Sequence, residues 1–245
     1  MESLQDKVAI VTGGSRGIGL AIARALVRDG AHVVITARGA GALAEARRDL
    51  DGAGPGRVET LGADVTRAGD MARTVAAAAE RFGGLDILIT NAGVGAFAEV
   101  EAMTPEQWST VIDTNLTGVF NACRAAIPAM RRRGGGFIVN ISSLAGANAF
   151  KGGAAYCASK AGLNAFSEAL MQELRYDGIR VSYVMPGSVA TGFAGHSAAP
   201  GGAGSRDDDW KIAPDEVAEV VIHLLKHPRR SLPSRVELRP SKPRR

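Results

Sequence analysis

Short apolar, β-branched runs alternate with longer amphipathic stretches along the whole chain. Residues 7–12 (KVAIVT), 32–37 (HVVITA), 58–62, 85–90 (LDILIT), 136–142 (GFIVNIS) and 179–185 (IRVSYVM) read as strands, with a short seventh at 235–238. Between them, apolar residues at helical spacing predict helices over 17–29, 41–50, 68–81, about 105–132, 154–175 and 214–226. Strands this apolar belong to a parallel sheet covered on both faces. Right-handed crossovers then wind the chain in both directions from the sheet's middle. The expectation is a single α/β domain over residues 1–240: a doubly wound parallel sheet of about seven strands, order 3-2-1-4-5-6-7, with helices on both faces. Residues 192–209 are rich in Gly, Ala, Ser and Asp and too long for an ordinary connection. They read as a lid, spanning about 192–212, over a substrate site.

Composition narrows the classes. At 245 residues and 46% hydrophobic content, the chain has ample material for one large core. The sequence holds no 18-residue apolar run and begins without a signal-peptide pattern, so a cytoplasmic protein with no membrane span is expected. Two cysteines, Cys123 and Cys157, make neither a disulfide framework nor a zinc site, and no metal is expected. The net charge of +4 is local: residues 226–245 carry eight Lys or Arg against one Glu, which leaves the remainder acidic. That end, interrupted by Pro233, Pro240 and Pro243, reads as a solvated tail, disordered over 241–245, and not as a nucleic-acid arm. Arg131, Arg132 and Arg133 fall where a helix should end and complement its dipole.

Two constellations carry chemistry. Directly after the first strand, Gly13, Ser15, Arg16, Gly17, Ile18 and Gly19 form a glycine-rich turn opening into a helix. Such a turn lets backbone approach a pyrophosphate, and the free N–H groups of the helix start receive it. The end of the second strand then selects the nucleotide. An acid there would accept a ribose 2′-hydroxyl, but the chain has Thr36, Ala37 and Arg38. Arg38 and Arg16 could together hold a 2′-phosphate, so NADP(H) is expected over NAD(H). The second constellation is Tyr156 and Lys160, one helical turn apart, with Ser143 thirteen residues before the tyrosine. A neighbouring ammonium favours phenolate over phenol, which yields an acid or base useful near neutral pH. Ser142 competes with Ser143 for the same hydrogen bond, although only Ser143 has that offset. His196 and His223 have no indicated partner and are left out of the site.

These residues resemble the short-chain dehydrogenase/reductase family over nearly the whole chain. Thr12 to Gly19 resembles its coenzyme loop, Asp64-Val65 its adenine-contacting pair, and Asn91-Ala92-Gly93 its motif after the fourth strand, with Thr90 where asparagine is frequent. Pro186-Gly187, Val189 and Thr191 resemble its nicotinamide segment; Asn115, Ser143, Tyr156 and Lys160 resemble its catalytic tetrad. The resemblance implies an NADP-dependent oxidoreductase acting on a carbonyl or secondary alcohol, with Tyr156 as acid and base. It further implies that Lys160 holds the nicotinamide ribose, Ser143 steadies the substrate oxygen and Asn115 ties a relay water to the lysine. It also implies a homo-oligomer, tetramer or dimer. The apolar residues Val94, Ala96, Phe97, Ala147, Ala149, Phe150 and Phe193 point to a ketone, aldehyde or 3-oxo ester substrate. Reduction of a 3-oxoacyl carrier-protein thioester is the alternative, though the ending SRVELRP departs from that group. An NADP(H)-binding regulator without turnover is the alternative of another class.

Overall fold

A computed structural model of the chain describes residues 2–194 and 209–243. Its seven strands are β1 (Val8–Thr12), β2 (His32–Ala37), β3 (Val58–Gly62), β4 (Ile87–Thr90), β5 (Gly136–Ile141), β6 (Ile179–Pro186) and β7 (Arg235–Leu238). They form one parallel sheet in the order β3-β2-β1-β4-β5-β6-β7. The helices are α1 (Gly17–Arg28), α2 (Ala40–Leu50), α3 (Ala68–Phe82), α4 (Pro105–Ile112), α5 (Gly118–Arg132), α6 (Ala154–Leu174) and α7 (Pro214–Leu225).

The two-residue period of the strands divides the core. Ala9 and Val11 of β1 face one apolar layer, with Leu26, Ile35, Leu43 and Val221, under α1, α2 and α7. Val8 and Ile10 face the other, with Met71, Leu88, Met130 and Leu163, under α3, α5 and α6. Each fully buried leucine contributes about 2–5 kcal/mol measured against alanine. Local signals set the element ends. Thr104 and Gln107 cap each other's backbone at the start of α4, with Pro105 in the first turn.

The predicted helix over 105–132 is interrupted. Residues Asp113–Thr117 form a π-turn between α4 and α5. The widened turn lets the buried Asn115 side chain leave the helix and bind outside it, a bond that apolar periodicity does not register. The expected lid falls partly outside the described residues, at 195–208, as does His196. Its start, Gly192–Ala194, is a single 3₁₀ turn, and Ile212 pairs with Val189. Of the tail, residues 244–245 lie outside the described residues.

Candidate active site

The carboxyl ends of β1, β2, β4, β5 and β6 open onto one cavity of about 1250 Å³. Gly13 sits at φ +63°, and a side chain at Gly19 would lie 2.4 Å from the Gly13 carbonyl oxygen. Only glycine permits so tight a loop. Thr12 and Asn91 clamp it to β4. The Asn91 amide nitrogen donates to the carbonyls of Thr12 and Gly13, at 3.1 and 3.0 Å. The backbone N–H groups of Asn91 and Ala92 donate to the Thr12 hydroxyl, at 3.0 and 3.2 Å. No side chain caps the start of α1, so its first N–H groups face the cavity. Ser15, Arg16, Gly17, Ile18, Arg38, Asp64, Val65 and Gly93 line the same groove, as do Pro186, Gly187, Val189 and Thr191. Gly19 lies behind it as packing. Burial would raise the Asp64 carboxyl, but bonds from Thr66 and the charges of Arg38 and Arg67 hold it below the usual range. A groove of backbone donors beside Arg16 and Arg38 fits a nicotinamide dinucleotide.

At the other end of the cavity, β5 and α6 bring Ser143, Tyr156 and Lys160 together. Helix α6 is pinned to the sheet by buried polar groups. Thr90 donates to Asn140 (2.6 Å), Asn140 to Ser167 (2.8 Å), and Ser167 to the Leu163 carbonyl (2.7 Å). Left unpaired, each would destabilise the core by about 1–3 kcal/mol; satisfied, they set where the turn of α6 that carries Tyr156 and Lys160 lies. The two serines separate by role. Ser142 is buried and its hydroxyl donates to Asn164 on α6 at 2.5 Å, whereas the Ser143 hydroxyl accepts from Ala145 N–H at 3.1 Å and lines the cavity with Tyr156.

Burial raises the phenol above its ordinary value, the nearby Ser143 hydroxyl pulls part of that back, and Cys157 adds to the rise. Burial likewise draws the Lys160 ammonium down to about 8. These directions correct the expectation of a phenol acidified by lysine. Lys160 Nζ donates to the Ile141 carbonyl at 3.0 Å and lies 5.8 Å from the tyrosine ring centroid. The desolvation of the buried phenol dominates its proton affinity.

Asn115 is fully buried behind the cavity. Its side chain accepts from Val94 N–H (2.8 Å) and donates to the Val94 carbonyl (2.9 Å) and Ser159 hydroxyl (3.0 Å). The Ser159 hydroxyl in turn donates to the Tyr156 carbonyl at 2.7 Å. The amide thus joins the π-turn to α6 and to the segment after Gly93, with none of its bonds made to Lys160. Val94, Phe97, Phe150 and Phe193 line the cavity; Ala96, Ala147 and Ala149 do not. Sequence reasoning did not single out Trp210, within the expected lid range, and missed Arg239, Pro240 and Pro243; all four line the cavity. Gly187 N–H donates to the Leu238 carbonyl at 2.8 Å, and Pro240 and Leu144 crowd the α-carbon of Gly187. No spacing along the chain signals a meeting between residues 187 and 240. Among the described residues no cluster of His, Cys, Asp or Glu could hold a metal ion, and no helix is long and apolar enough to cross a membrane.

The family model described as short chain dehydrogenase matches residues 7–200. The chain belongs to the short-chain dehydrogenase family. An uncharacterized oxidoreductase of Staphylococcus saprophyticus is 35% identical over 244 residues, covering 98% of this chain and all of that protein. An alcohol dehydrogenase from the archaeon Thermococcus sibiricus, solved with 5-hydroxy-NADP, superposes with a TM-score of 0.88 at 32% identity, covering 98% of both chains. A metagenomic short-chain oxidoreductase, solved with NADP, superposes with a TM-score of 0.83 at 39% identity, covering 99% of this chain and all of the other.

Proposed function

We propose that this protein is an NADP(H)-dependent oxidoreductase that interconverts a ketone or aldehyde and the corresponding alcohol, with Tyr156 as acid and base. The observation that carries the reading is the convergence of Ser143, Tyr156 and Lys160 on the cavity that the glycine loop also lines. Bound in that groove, a reduced nicotinamide would supply the hydride that the carbonyl carbon needs. Tyr156 gives its proton to the carbonyl oxygen, and the Ser143 hydroxyl steadies the charge that develops there. Lys160, held from behind by the Ile141 carbonyl, presents its remaining donors to the cavity and would hold the nicotinamide ribose. Asn115 acts as a positioning residue that fixes the π-turn against Val94 and Ser159. A phenol raised by burial stays protonated at neutral pH, which suits reduction; oxidation needs the phenolate and rises with pH.

The preference for NADP(H) rests on Arg16 and Arg38 in the groove, on the absence of an acid at the end of β2, and on the NADP seen in the two solved relatives. A regulatory reading has no comparable support, since Ser143, Tyr156, Lys160 and Asn115 are all present. Trp108 on α4 and Phe120 on α5, both exposed, suit packing against a second copy of the chain, and sedimentation equilibrium reads the stoichiometry. The test of the activity is an NADPH-oxidation screen over ketones, aldehydes and 3-oxo esters, repeated with NADH. Turnover should favour NADPH by at least about tenfold, and Arg16→Ala/Arg38→Ala should remove most of that preference. Tyr156→Phe should lower kcat by about 100-fold or more, with NADPH binding within a few-fold of normal. A Tyr156→Phe protein as fast as the parent would overturn the mechanism.

A further inference from the structure

Three of the seven large apolar side chains that stand exposed among the described residues surround one phenol. Phe97, Phe150 and Phe193 are 38%, 49% and 39% exposed, and all three line the cavity at Tyr156. The Phe97 ring meets the Tyr156 ring edge-on, with centroids 5.7 Å apart and planes at 69°. Phe193 lies 5.7 Å from the same ring, and Phe150 lies 5.8 Å from Phe97. These separations fall within the range where aromatic rings attract beyond their buried area.

The wall is built, not incidental. Its rings come from three loops far apart in sequence. Ala98 N–H donates to the Gly152 carbonyl at 2.9 Å, and the Lys151 ammonium lies 2.8 Å from the Glu99 carboxylate, so the Phe97 and Phe150 loops are tied together. Gly95 and Gly153 leave the rings their places. A β-carbon at Gly95 would stand 2.9 Å from the Phe97 ring and 3.3 Å from that of Phe193; one at Gly153 would stand 2.6 Å from the ring of Phe150. Part of each ring remains open to the cavity, and apolar surface in that setting gains most from a flat apolar occupant.

We infer that the substrate is an aryl ketone, its ring received by Phe97, Phe150 and Phe193 and its carbonyl oxygen directed at Tyr156 and Ser143. The inference rests on the carbonyl-reductase reading above. The C=O gains a hydride at carbon and a proton at oxygen, so the ketone becomes an aryl carbinol as NADPH becomes NADP⁺.

The experiment compares acetophenone with cyclohexyl methyl ketone, which is similar in size but not flat. It reads kcat/KM with NADPH, and calorimetric binding of each ketone to the protein saturated with NADP⁺. Acetophenone should exceed the cyclohexyl ketone by about tenfold in both readings. Phe97→Leu and Phe193→Leu, each in a loop outside the core, should each lower that ratio several-fold, and Gly95→Ala, which displaces both rings, should do the same. Equal kcat/KM and equal binding would overturn the aryl inference and leave carbonyl reduction standing. Tighter acetophenone binding without turnover of either ketone would keep the aromatic receptacle and remove the reductase reading. Failure to bind or turn over either ketone would overturn both.

Discussion

The nucleotide half and the substrate half of the cavity are made differently. The nucleotide half is chiefly backbone: a glycine loop too tight for any β-carbon, the uncapped start of α1, and Asn91 bonded to the carbonyls of that loop. The substrate half is chiefly side chain: three half-exposed phenylalanines, Leu144 and Asn148, and the C-terminal segment laid beside Gly187. A backbone cradle recognises what all dinucleotides share and tolerates little change. A wall of side chains on separate loops can be altered one residue at a time without unmaking the fold. The chemistry proposed for Tyr156 and Lys160 would sit at the seam, on a turn of α6 that a buried polar network fixes to β4 and β5.

The difference can be broken most sharply at Gly19. A methyl group there has the Gly13 carbonyl oxygen 2.4 Å away, so Gly19→Ala should lower affinity for NADPH and NADH alike by roughly 100-fold and destabilise the protein by about 1–3 kcal/mol. Fluorescence titration and urea unfolding read the two effects; unchanged affinity would show that the loop yields more easily than its packing indicates.

Truncation after Leu238 sharpens the comparison from the other side. It keeps β7 and the Leu238 carbonyl that Gly187 N–H bonds, while removing Arg239, Pro240 and Pro243 from the cavity wall. KM for bulky ketones should change by roughly three- to tenfold, with KM for NADPH within about twofold. An equal change in both would make the tail a support for the whole site instead of a wall of one half.

The smallest effect concerns the seam itself. Lys160 is held at about 8 in the folded protein against an ordinary value of 10.5. Between those values the unfolded chain binds more protons, so stability rises with pH across that window. Below it the folded state bears the whole cost of a buried ammonium. Lys160→Met should abolish that rise: the variant gains on the parent at pH 7 by a few degrees in Tm at most, and the gain shrinks towards pH 10. A gap that does not vary with pH would mean that the ammonium is better solvated than its burial implies.

Legibility in the sequence followed the same division. The alternation of apolar runs with amphipathic stretches yields the sheet, its order and its two core layers, because period and handedness are local properties. The glycine loop, Arg38, Ser143, Tyr156 and Lys160 were equally readable, since each belongs to a short stretch with its own pattern. The π-turn at Asn115 was not, because a turn widened by one residue leaves the apolar spacing on either side unchanged. Nor was the direction of the phenol's shift. Spacing places an ammonium near Tyr156, but burial decides how strongly each charge is opposed, and burial comes from everything packed around the helix.

The chain's own pattern of residues therefore determined the architecture, the kind of nucleotide groove and the candidate reactive groups. Tertiary structure alone decided that Asn115 spends its amide on Val94 and Ser159, and that Pro240 meets Gly187. Motifs are contacts between residues a few positions apart, which the backbone's periodicity dictates. Pocket walls and proton affinities depend on residues from separate elements, which only the packed sheet brings within reach.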